Sequence, residues 1–76
     1  MRIDDIQFRT AQARAELEEM KWRRKHLIER RSELSKRNAP RDMIRRYDED
    51  LVDVINQIQL KQSELGDLED RMRGLA

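Results

Sequence analysis

The sequence predicts an all-α protein, an antiparallel two-helix coiled-coil hairpin that dimerises into a four-helix bundle. Three observations carry this reading. Apolar residues recur in alternating steps of three and four along two stretches of equal length, the spacing of a helix with one buried seam. That rhythm breaks once, at Asn38-Ala39-Pro40. Finally, 76 residues that are 37% hydrophobic and 43% charged hold too little apolar surface for a thick core. With no cysteine and a single histidine, His26, neither disulfides nor a histidine-cysteine metal site can reinforce the fold, which leaves self-association. High charge and few aromatics also suit a disordered chain, but disorder has no period.

The first helix is expected over about residues 3–37. Its seam positions, 3, 6, 10, 13, 17, 20, 24, 27, 31 and 34, hold Ile, Ile, Thr, Ala, Leu, Met, Arg, Leu, Arg and Leu. The second is expected over about 40–75, with Ile, Tyr, Leu, Val, Ile, Lys, Leu, Leu, Met and Leu at 44, 47, 51, 54, 58, 61, 65, 68, 72 and 75. Between the seam positions stand mainly Glu, Asp, Lys, Arg and Gln, good helix formers that suit a wet face. The turn falls at 38–40, because asparagine tolerates the left-handed conformation that ends a helix and proline fits the first turn of the next. Lys36 and Arg37 before it and Asp42 after it match the sign of each helix dipole. One uninterrupted helix would place Pro40 in its interior, at a cost of about 3 kcal/mol. The whole chain, 1–76, is thus one helical-hairpin domain. Facing seam residues have numbers that add to 78, as in Leu27 with Leu51 or Met20 with Ile58.

Beside the seam runs a second apolar face. With Ile3 labelled a in a heptad, positions e, b and f of helix one carry Phe8, Ala11, Ala15, Trp22 and Ile28, and helix two adds Val52 and Ile55. Gly66 lies on the same flank at the height of Ala11. A lone hairpin leaves these side chains in water, so they are expected to form the dimer face or a partner-binding face. Trp22 is the favoured anchor, since tryptophan is enriched at binding hot spots. The opposite flank, c and g, is polar apart from Met43 and Leu60. Three seam positions are charged. Arg31 faces Tyr47 near Asp48 and Asp50, Lys61 can snorkel past Leu17 into water, and Arg24 lies within reach of Asp50 and Asp53.

Catalytic chemistry has no support in the residues: there is no glycine-rich loop, no nucleophile beside a base and no metal-ligand spacing. No catalytic residue, cofactor, metal or small-molecule substrate is therefore expected. Charge is unevenly distributed instead. Between Lys21 and Arg46 stand eleven Lys or Arg against three acids, while residues 1–20 balance to −2 and 47–76 to −5, within a net charge of +1. Arg23, Lys25, Arg37, Arg41, Arg45 and Arg46 are the candidate nucleic-acid contacts, with Trp22 as a stacking ring. In architecture such a hairpin dimer resembles the plasmid copy-control Rop bundle, a likeness that implies RNA binding.

The run Asp42-Met43-Ile44-Arg45 followed by Asp50-Leu51-Val52-Asp53-Val54-Ile55 resembles the second helix of the small hairpin phosphatases that act on a sporulation response regulator, whose signature reads Ser-Gln-Glu-Leu-Asp-x-Leu-Ile. Here Asp48 and Glu49 replace the Ser and Gln and Val52 replaces the Asp, so that activity does not carry over. No stretch approaches the roughly 18 apolar residues of a membrane span, and the first residues lack the basic-then-apolar order of a signal peptide. The expectation is a cytoplasmic, non-enzymatic binding protein that acts on a partner protein as adaptor, chaperone or inhibitor. The alternative is a small Rop-like RNA- or DNA-binding regulator using its basic turn end.

Overall fold

The structure, a computed structural model, describes residues 2–75. Helix α1 spans Ile3–Lys36 and helix α2 spans Arg41–Leu75, with no strand among the described residues. They pack side by side as a hairpin 55 × 14 × 13 Å. That length matches a single helix of this size at about 1.5 Å per residue.

The turn is built where the sequence implies, with each helix stopping one residue short of its expected end. Arg37 caps α1, and Asn38 follows with φ 55°, the left-handed conformation. The amide of Ala39 donates to the Leu34 carbonyl at 3.0 Å and that of Asn38 to Ser35 at 3.2 Å. This pair of bonds is a Schellman motif, which satisfies carbonyls that the helix end would otherwise orphan. Pro40 stands just before α2 rather than inside it. Its carbonyl accepts from Met43 and Ile44, and its missing N–H falls where no helical partner exists. At the other end, Arg2 precedes α1 in an extended conformation without a side-chain cap, and Asp4 and Asp5 supply the favourable charge for the first turn.

Every seam position from Ile6 to Met72 is buried or half-buried, and only the outermost pair, Ile3 and Leu75, is exposed. The tightest part lies toward the chain ends, where Ile6, Ala13 and Leu68 pack with Leu65 and Met72. Thr10 is buried there without penalty, since its hydroxyl donates to the Ile6 carbonyl at 2.7 Å and lies 3.4 Å from the Met72 sulfur.

Four side-chain contacts fix the register: Glu16 with Lys61, Arg31 with Asp48, Thr10 with Met72 and Arg14 with Glu69. Their numbers add to 77, 79, 82 and 83, one just below the expected 78 and three above it. The upward drift has a geometric cause. Side chains lean toward the N-terminus of their own helix, away from the turn on α1 and toward it on α2, so Thr10, Arg14 and Arg31 each reach a slightly later residue of α2.

Candidate functional site

The seam charges are resolved within the hairpin. Arg31 forms a two-pronged ion pair with Asp48 through Nε and Nη2, a bond that holds its guanidinium above its ordinary pKa. Lys61 passes Leu17 as expected, yet its ammonium ends on carboxylates rather than in open water, 2.7 Å from Glu16 and 2.9 Å from Glu64. Hydrogen bonding to Glu16 first, and then to Glu64, raises its pKa. Arg24 is half-buried and makes no ion pair among the described residues. Instead, it is the neighbouring Arg23 that shares a shallow hollow with Asp50 and Asp53.

The contacts also establish which flanks share a side. Arg14 and Glu69, both at e, are bridged at 3.2 Å, so the e flanks of the two helices lie together. On the other side the g flanks meet, in one hollow lined by Arg23, Leu27, Asp50 and Gln57 and another lined by Arg9, Glu16, Lys61 and Glu64.

Phe8, Ala11, Ala15, Trp22, Ile28, Val52 and Ile55 are all exposed, Phe8 at 70% and Trp22 at 63% of their full area. The seam covers none of them. The structure nevertheless divides the set. Trp22, at an f position directly opposite the seam, turns its ring onto His26, with centroids 4.0 Å apart at 43°. His26 is at c, so the indole leaves the e/b flank and joins the polar side. There Trp22, Arg23, His26, Leu27, Arg30 and Tyr47 line one hollow. Ile28, Val52 and Ile55 stay together on the e/b flank toward the turn. Ala11 and Gly66 lie on that same flank toward the chain ends, and nothing comes within 4 Å of a Cβ placed on Gly66. His26, Leu27, Arg30 and Tyr47 of this hollow are not among the site residues that the sequence singles out. Tyr47 is a seam position that is only half-buried, and Arg30 is one of many exposed arginines.

The six candidate nucleic-acid contacts, Arg23, Lys25, Arg37, Arg41, Arg45 and Arg46, are all exposed. Of the eleven Lys and Arg from Lys21 to Arg46, only Lys21 and Arg31 form ion pairs with acidic groups among the described residues, to Glu18 and Asp48. Nine basic groups are therefore available at the turn half. They do not form one face: Arg23 and Arg37 lie on the g flank, whereas Lys25 and Arg45 are at b.

No helix among the described residues is long and apolar enough to cross a membrane. Compared with models of known protein families, with curated proteins and with solved structures, the chain matches none. What the protein does must therefore be argued from its own surfaces.

Proposed function

We propose that the chain is a non-enzymatic helical-hairpin binding protein that captures a partner protein in the hollow around Trp22. The observation that carries this is an indole exposed at 63%, braced by His26 in a hollow that Arg23 and Arg30 also line. Burying a ring of that size supplies much of the affinity of a small interface, and a braced ring loses little freedom when it binds. Leu27 and Tyr47 extend the apolar floor, while the two guanidiniums favour acidic groups at its edge. The chemistry suits an amphipathic helix with apolar and acidic residues laid along the g flank. Adaptor, chaperone and inhibitor roles all use such a surface.

A second reading has its own support in the nine unpaired basic groups. Phosphates bind such an array, and Trp22 offers a face on which a base can stack. Affinity capture with the tagged chain, with and without nuclease, separates the two. Protein capture that survives nuclease and is lost on Trp22→Ala supports the first reading. Capture that disappears with nuclease overturns it in favour of nucleic acid.

A further inference from the structure

We infer that the e/b flank seats a second copy of this chain, docked antiparallel, so that the turn of each hairpin lies beside the chain ends of the other. This goes beyond the partner proposed above, because the flank faces away from the Trp22 hollow.

The area points to a missing neighbour. The hairpin exposes 6262 Å², against about 5,000 Å² for a compact chain of its mass. The excess of roughly 1,300 Å² exceeds the approximately 800 Å² that each partner gives up in an interface of standard size.

Shape then selects the arrangement. A twofold axis across the hairpin stacks α1 on the partner's α1 and α2 on the partner's α2, each pair running in opposite directions. On α2, Val52, Gln59 and Gly66 recur every seven residues at the same heptad position. An axis through Gln59 therefore sets Val52 over the partner's Gly66, where the open space above the glycine receives the valine. By the register of the hairpin, Gln59 stands level with residues 19–20 of α1. The same axis then places Ile28 opposite the partner's Ala11, again large against small, and Lys21 opposite the partner's Glu18. One axis matches large residues to small ones on both helices, while it also sets Arg45 opposite the partner's Arg73 and Lys25 opposite the partner's Arg14.

The net charges of the two halves favour the same orientation. Residues 21–57, the turn half, hold eleven basic and seven acidic groups, a balance of +4, and the remaining residues hold six and nine, a balance of −3. Antiparallel docking sets +4 against −3 at both ends, whereas a parallel pair sets like against like.

The test uses the full chain. Wild type at tens of micromolar should sediment as a dimer, at twice 9.3 kDa. Gly66→Arg meets nothing within the hairpin itself, so it should keep its helical signal while its dimer dissociation constant rises tenfold or more. Gln59→Cys, introduced into a chain without cysteine, should oxidise to a disulfide-linked dimer. A parallel pair would face residue 59 with α1 and leave it unlinked. Trp22→Ala should remain dimeric, which keeps failure of this inference distinct from failure of the Trp22 reading. A monomeric wild type, a Gly66→Arg chain that dimerises as tightly as wild type, a Gln59→Cys dimer that does not link, or a different protein occupying the flank overturns the proposal.

Discussion

Ile58 and Leu60 are two residues apart on α2, isomeric side chains in opposite surroundings, which makes the pair a direct probe of the seam. Ile58 is 3% exposed and Leu60 is 72% exposed. Ile58→Ala deletes three buried carbons, worth about 0.8 kcal/mol each by transfer, or roughly 2.4 kcal/mol. The cavity term should be small, because a seam two helices thick is open at both sides and neighbours or water can fill the gap. The expected loss is thus near the lower end of the usual range, about 2–3 kcal/mol. A chain of this size has roughly 4–11 kcal/mol in all, so the change is a large fraction of it. At about 4–8 °C per kcal/mol, the thermal midpoint should fall by about 10–20 °C. Leu60→Ala removes the same number of carbons from water-exposed surface and gains helix propensity, so its midpoint should stay within a few degrees of wild type. Circular dichroism melts at one fixed protein concentration make the comparison. Equal losses for the two variants, or a drop of under 5 °C for Ile58→Ala, would refute the seam as drawn.

Three further outcomes follow from the turn, the seam lysine and the basic end. Asn38 holds a left-handed φ of 55°, so Asn38→Gly should be neutral or stabilising and Asn38→Val should cost roughly 1–2 kcal/mol, read from urea midpoints. Lys61 has a folded pKa raised above its ordinary 10.5 by Glu16 and Glu64. Its contribution is therefore complete below about pH 10.5 and is lost as pH rises through the folded value. Melts across pH 9–12 should show an alkaline loss that Lys61→Met removes, and an identical alkaline loss in Lys61→Met would contradict the assignment. If the basic end grips nucleic acid through about four to six phosphates, affinity should fall with a log–log salt slope of about −3 to −5. Charge reversal at Arg41, Arg45 and Arg46 should then abolish it, and absence of retention at low salt removes that reading.

The fold was legible because two periodic signals and one break are enough to specify a hairpin. Ile6, Ala13, Leu17, Val54, Ile58 and Leu68 are buried at the positions the three-four spacing names, and Asn38 takes the conformation that asparagine tolerates. The side-chain destinations were less legible. Trp22 occupies a position directly opposite the seam, equally near both flanks, and a heptad label carries no rotamer. Only the stacking on His26, one turn later, decides its side. Lys61 likewise had two fates available, open water or Glu16 and Glu64, and the choice depends on distances of 2.7 and 2.9 Å that spacing alone does not resolve. The identity of a partner is not encoded in the hairpin's own periodicity, since an exposed face constrains only the chemistry of what covers it.

The central claim is that Trp22 is an anchor held at the surface, outside the hairpin's core. Its most direct test is the affinity of Trp22→Ala for the protein that wild type captures in the presence of nuclease, measured against Phe8→Ala as an exposed aromatic control. The account predicts a loss of about 2 kcal/mol or more for Trp22→Ala, roughly thirtyfold in dissociation constant, with Phe8→Ala near wild type. An affinity unchanged by Trp22→Ala, or reduced equally by Phe8→Ala, would contradict it.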